Sequence, residues 1–218
     1  LNAFKNASEM NFNLNIKEDA WLNYAKLSYD IGNPYQSTPE VLTFFLELYP
    51  KSPFKIEIES LLIDSYISSN NFKEALELLE NKSRSFHKEA YQKVTFYRGL
   101  ELYNTANYAE AKKQFDNSLS SSIDPTFKAR ATYWKAETAY QLSNYKAALD
   151  GFRDFKNRRF NNQLDEFINL DYNLAYTYYK LKAYALAITS FQAFIATQPK
   201  NLVVLNDAFL RLGDSYFV

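Results

Sequence analysis

The chain has 218 residues, 47% hydrophobic and 23% charged, with no cysteine and a formal net charge of zero. That length and apolar content are enough to bury a core and exclude a disordered chain. The missing thiols exclude disulfides and thiolate chemistry, and the charge balance gives no whole-chain electrostatic reason to expect nucleic acid or anionic lipid as a partner.

Only 4 Gly and 6 Pro are present, too few for the many tight turns of an all-β fold of this size. The composition therefore leans helical, although the 18 Tyr and 18 Phe would by propensity favour strands. No apolar run approaches the roughly 20 residues that span a bilayer. Charge is uneven along the chain: residues 1–111 carry 11 basic and 15 acidic side chains, whereas residues 112–159 carry 10 and 5.

Taken in chain order, apolar residues recur at helical spacing. Phe4-x-x-Ala7 fits the second helix of a preceding unit, at residues 1–10. A helix pair follows over about 17–50, with Ala25-x-x-x-Tyr29 and then, less regularly, Leu42, Phe45 and Tyr49-Pro50. The pair over about 53–82 holds Ile63-x-x-Tyr66 and Phe72-x-x-Ala75-x-x-x-Leu79. The pair over about 86–121 holds Gly99-x-x-Leu102-Tyr103 and Tyr108-x-x-Ala111-x-x-x-Phe115. The next, over about 124–157, holds Ala136-x-x-x-Tyr140 and Tyr145-x-x-Ala148-x-x-x-Phe152. The last, over about 162–197, holds Leu174-Ala175-x-x-Tyr178 and Tyr184-x-x-Ala187-x-x-x-Phe191 and is closed by Pro199, which cannot continue a helix. Residues 201–218 fit an orphan first helix carrying Phe209, Leu212, Gly213 and Tyr216.

The small residues of the first helices fall at Ala25, Gly99, Ala136, Ala175 and Gly213, with Ile63 in the same place once, at spacings of 38, 36, 37, 39 and 38. A small side chain there lets the two helices of a unit approach closely, and a second one (Ala75, Ala111, Ala148, Ala187) serves the next contact. No unit can bury its apolar face alone, so units stack. The expectation is an all-α, right-handed superhelical solenoid of antiparallel pairs, cut inside a unit at both ends. The uncovered Phe209, Leu212, Tyr216 and Phe217 would then favour end-to-end self-association.

This pattern resembles the tetratricopeptide repeat family, with Leu174-Ala175, Tyr178, Ala187, Phe191 and Pro199 in the family's order and Phe209, Leu212-Gly213 and Tyr216 repeating its start. The period of about 37 exceeds the family's usual length of about 34, and Phe155 and Phe194 occupy a position that is normally small. In both respects the chain is similar to the long-period proteins of the bacterial cell envelope, such as the lipoprotein of the outer-membrane assembly machinery and the periplasmic coordinator of the Tol–Pal system. A periplasmic or envelope location is expected by that analogy alone.

The resemblance implies that first helices line a concave groove, with Tyr29, Phe96, Tyr103, Tyr133, Tyr140, Tyr172, Tyr176 and Tyr179 facing it. Tyrosine suits such a surface because it combines apolar area with a hydroxyl that stays wet. The implied function is a non-enzymatic scaffold for a protein or peptide partner; the same rings could instead stack on a glycan or cell-wall sugar. Members that clamp the terminal carboxylates of chaperones use Lys and Asn one turn apart on a first helix. The matching pairs here include Lys26 after Leu22, Glu137 after Tyr133 and Tyr176 after Tyr172, none of which fits.

Little else points to chemistry. His87, at the expected start of a first helix, is read as an exposed residue, and a lone His without Cys makes no zinc site. No phosphate-loop, dinucleotide or HExxH motif is present, and no cofactor or metal is expected. Carboxylates on helices are expected to be solvated; an enzyme would require two of them converging in a cleft. The basic stretch Lys156 to Arg159, followed by Phe160, Asn161, Asn162 and Gln163, is expected to be a soluble connecting loop.

Overall fold

A computed structural model describes residues 1–11, 13–80, 85–121, 123–158 and 163–218. Residues 82 and 162, where two of the expected pairs end and begin, lie outside the described residues. Among the described residues there is no strand. The helices are α1 (Asn2–Glu9), α2 (Leu14–Ile31), α3 (Thr38–Leu48), α4 (Lys55–Ser68), α5 (Phe72–Leu78), α6 (Lys88–Asn104), α7 (Tyr108–Ser121), α8 (Pro125–Gln141), α9 (Tyr145–Lys156), α10 (Leu170–Lys180), α11 (Tyr184–Ala196) and α12 (Leu202–Phe217), with a 3-10 turn at Asp165–Phe167. The fold is all-α, built from antiparallel helix pairs in the manner of a repeat solenoid. No described helix is long and apolar enough to cross a membrane.

Two compact units divide the chain, Leu1–Val94 and Thr95–Val218. In the first, α1 packs on α2, α2 on α3 and α4, and α4 on α5. Its interior is centred on Tyr24, Leu42, Phe45 and Ile58, with a second cluster at Ile63, Leu79, Tyr91 and Val94. In the second unit α7 through α12 each pack on the next. Its largest cluster joins Tyr133, Phe152, Phe155, Leu174, Phe191 and Phe194, and another holds Phe96, Ala111, Phe115 and Ala131.

The repeated small positions are interior. Ala25, Ala75, Ala111, Ala148, Ala175 and Ala187 have no exposed surface. A Cβ added to Gly99 would come 2.6 Å from the ring of Phe115, so α6 meets α7 at van der Waals distance only because that side chain is missing. The α8–α9 pair uses a different glycine: a Cβ on Gly151 would lie 2.7 Å from that of Ala136.

Four of the turns inside the pairs share one conformation, and the one after α2, at Gly32 (φ 76°, ψ 164°), differs. A positive φ falls seven residues after Ala25, Ile63, Gly99, Ala136 and Ala175, at Gly32 (76°), Asn70 (59°), Ala106 (60°), Ser143 (59°) and Lys182 (59°). Four of these turns close with the same two backbone bonds. In the last, the Ala183 N–H donates to the Tyr178 carbonyl (2.9 Å) and the Lys182 N–H to that of Tyr179 (3.0 Å), the double closure of a left-handed helix cap. Side chains complete other ends: Ser37 and Glu40 form a reciprocal cap on α3, and Asn13, Asp124, Asn144 and Asn201 accept from the first turns of α2, α8, α9 and α12.

Candidate binding cleft in the second unit

On α8, Tyr133, Glu137, Tyr140 and Gln141 lie at helical spacings of four, seven and eight and share one face. On α10, Tyr172, Asn173 and Tyr176 do the same. The two faces line a cavity of about 230 Å³ bounded by Glu137, Tyr140, Gln141, Tyr172, Asn173 and Tyr176. A second cavity, of about 210 Å³, shares Glu137, Tyr172 and Asn173 and adds Tyr103, Tyr133, Trp134 and Val204. Glu137 stands at the junction of the two.

The rings are fixed from below by the core. Tyr133 packs on Phe152 and Phe155 with centroids 5.5 and 5.3 Å apart, Tyr172 on Phe194 at 5.2 Å and Tyr176 on Phe191 at 5.5 Å. Tyr172 and Tyr176 meet edge to face at 4.9 Å. Their polar ends form a network. The Asn173 amide donates to the Tyr133 hydroxyl (2.8 Å) and to Glu137 Oε1. The Tyr103 hydroxyl donates to Glu137 Oε2 at 3.5 Å and accepts from Gln141 Nε2 at 3.3 Å. The Tyr172 and Tyr176 hydroxyls both donate to Asp207 Oδ2, while Arg211 Nε donates to the Tyr176 hydroxyl at 3.2 Å. Glu166 accepts from Arg130 Nε (2.6 Å) and Trp134 Nε1 (3.1 Å).

Burial raises the Glu137 carboxyl to about 7, against the pull of its bonds from Tyr103 and Asn173. Burial also pushes the Tyr103 and Tyr140 hydroxyls up to about 12, helped by the nearby Glu137 charge, and raises those of Tyr133, Tyr172 and Tyr176. These hydroxyls keep their protons at neutral pH. The cleft therefore offers apolar ring surface, fixed hydrogen-bonding groups and one carboxyl near its midpoint.

Of the aromatics expected to face a groove, Tyr103, Tyr133, Tyr140, Tyr172 and Tyr176 come together on this cleft. Tyr133 is nearly buried and offers mainly its hydroxyl. Tyr179 packs edge to face on Tyr184 at 5.6 Å and lines neither cavity. Phe96 has no exposed surface; it lies in the core under the Arg130 guanidinium, 4.7 Å from its ring. Tyr29 belongs to the first unit and packs against that unit's interior.

Sequence reasoning missed Glu137, Gln141 and Asn173 as cleft residues, and Asp207 as the acceptor that holds the Tyr172 and Tyr176 hydroxyls. Glu137 was visible only as the wrong charge for a carboxylate clamp. His87 also differs from expectation: it is buried, with Nδ1 3.3 Å from Ser60 Oγ and Nε2 3.8 Å from Glu59. α4 covers it, which the position at a helix start does not reveal. No group of three His, Cys, Asp or Glu able to hold a metal exists among the described residues. Of the basic stretch, Lys156 pairs with Asp171 and Arg158 with Asp154; Arg159 to Asn162 lie outside the described residues.

Residues 96–161, which include much of this cleft, match the family model described as tetratricopeptide repeat. No curated protein matches the sequence. Among solved structures, a tetratricopeptide repeat protein from Parabacteroides merdae ATCC 43184 superposes with a TM-score of 0.57 at 16% identity, over 90% of this chain and 73% of that one. BtubC (BKLC) from P. vanneervenii superposes with a TM-score of 0.54 at 15% identity, over 91% and 83%. At such identities the likeness is one of fold. The match over residues 96–161 and these superpositions agree on one architecture: the chain has a tetratricopeptide-like fold of stacked helix pairs, and its central residues resemble that repeat in sequence.

Proposed function

We propose that the second unit docks an extended segment of another protein across the Glu137 cleft, making the chain a scaffold rather than a catalyst. The observation that carries this reading is the convergence of Tyr140, Tyr172 and Tyr176 with Gln141, Asn173 and Glu137 around one open cavity. Rigid aromatic area beside a few fixed polar groups is what peptide recognition needs. Tyr172 and Tyr176 rest on the buried Phe194 and Phe191, and Tyr140 on Tyr145, so little ordering is left to pay for on binding. A glycan could also use tyrosine faces. Here, however, Tyr172 and Tyr176 meet edge to face and do not present the flat paired surface on which a sugar ring stacks, which favours the peptide.

A displayed random-peptide library selected on the full chain tests the proposal, with the double variant Tyr140→Ala/Gln141→Arg as the control. Gln141 is exposed, and because Tyr140 also packs on Tyr145, a melting curve checks that the variant folds. The selected peptides should lose about tenfold or more in affinity for it, or roughly 1.4 kcal/mol. Peptides that bind both proteins equally would overturn the proposal. A Trp134 fluorescence response to soluble oligosaccharide, with no peptide selected, would favour the glycan.

A further inference from the structure

The charges around the cleft are not balanced in the same way. Glu166 has Arg130 at 2.6 Å, and Asp207 has Arg211 at 3.7 Å. Glu137, between them and partly buried, has no cation in ion-pair range among the described residues. Its only described partners are two neutral donors, the Tyr103 hydroxyl and the Asn173 amide. An ionised carboxylate has about four acceptor positions, and burying one without a counter-charge is costly. The open side of Glu137 faces the cavity formed with Tyr140, Tyr172 and Tyr176, and tyrosine ring faces attract cations. The hydroxyls of Tyr172 and Tyr176 are held by Asp207, whose charge Arg211 balances, so Glu137 is the carboxylate left for a ligand cation.

Resting on the peptide-docking reading above, we infer that this cavity takes a basic side chain of the bound segment, a lysine ammonium or an arginine guanidinium, set against Glu137 among the rings of Tyr140, Tyr172 and Tyr176. The cation supplies the donors that Glu137 lacks, and the rings cover its alkyl stem. An acidic residue is rejected there, because the ionised Glu137 would repel it.

Proton linkage follows from the same geometry. The groups around Glu137 are Tyr133 and Tyr140 on its own helix, Tyr103 on α6, and Tyr172, Asn173 and Tyr176 on α10. Glu166, held by Arg130, lies beyond Tyr133, and Asp207 with Arg211 lies on α12. The tyrosines keep their protons well above neutrality, so Glu137 is the group that titrates near pH 7. A cation binds its ionised form, and affinity should rise with pH towards about 7 and then level.

The test uses peptides selected as described above, together with copies in which each lysine or arginine is replaced by norleucine. Binding is measured to the full chain and to Glu137→Gln, a nearly isosteric change whose folding is checked by its melting curve. Support requires three results: a shared basic residue in the selected peptides, a loss of about tenfold or more on either replacement, and wild-type affinity that climbs between pH 5.5 and 7.5 while that of the variant stays flat. Peptides that need Tyr140 and Gln141 yet lack a basic residue, or that bind Glu137→Gln equally well, would overturn the inference and leave peptide docking standing. If no selected peptide depends on the cleft, both fall.

Discussion

At Glu137, burial and hydrogen bonding oppose each other, and burial prevails: the carboxyl is raised from about 4.5 to about 7. A raised carboxyl means that the folded chain holds its proton where the unfolded chain has already released it. The stabilisation is therefore complete below about pH 4.5 and is lost as pH rises through about 7. The urea midpoint of the wild type, compared with that of Glu137→Gln, should fall relative to the variant across this window and run parallel to it above. A constant difference between pH 4 and 8 would mean that Glu137 is solvated in the folded chain. Sequence alone gives no sign of this. A glutamate on a helix surface is ordinarily solvated, and Glu137 is enclosed by Asn173, 36 positions later, and by Tyr103. Gly151 shows the same blindness. The repeat pattern singles out Ala136 and Ala148, yet the residue that Ala136 leaves no room to enlarge is a glycine outside the pattern. Gly151→Ala should force α8 and α9 apart and lower stability by about 1–3 kcal/mol, read by denaturant unfolding.

Among the elements, the helices were legible and the turns were not. Helices follow from apolar spacing, and the pairs follow from small residues repeating at nearly constant distance, both properties of a single sequence. The left-handed turn depends on backbone closure, and it is imposed on whatever residue falls seven positions after the small one. Asn70 suits that conformation. Ala106 and Lys182 do not; each carries a Cβ at a φ near 60° that costs about 1–2 kcal/mol. Lys182→Gly should relieve most of this and, after the extra unfolded-state freedom of glycine is deducted, raise stability by about 0.5–1 kcal/mol. Lys182→Val, which is β-branched, should lower it. Two melting curves decide the matter: a loss of stability in the glycine variant would mean that the Lys182 side chain makes a contact outweighing its backbone strain. The three edge-to-face pairs Tyr103–Tyr108, Tyr140–Tyr145 and Tyr179–Tyr184, with centroids 5.3, 5.3 and 5.6 Å apart, brace these turns. That is why Tyr179, alike in sequence to Tyr140, can be wholly structural.

Across the molecule, stability should be distributed by neighbourhood. Repeat chains bury apolar surface between sequential helices, so a defect is felt most by the helices that touch it. Each compact unit has its own buried clusters, and Phe152 belongs to the largest cluster of the second. Phe152→Ala removes a side chain with no exposed surface and should cost about 3–5 kcal/mol. Hydrogen exchange should show that loss as faster amide exchange in α8 through α11, which share the cluster around Tyr133, Leu174 and Phe191. The amides of α2 to α4, around Leu42 and Phe45, should keep most of their protection. Equal loss throughout would show instead that the chain opens only as a whole, and the nearest-neighbour account would be wrong. The same experiment bears on binding. Tyr133 and Phe152 pack at 5.5 Å, and the Tyr133 hydroxyl takes the Asn173 amide that also serves Glu137. Loosening Phe152 should therefore weaken peptide affinity without altering any residue that lines the cleft.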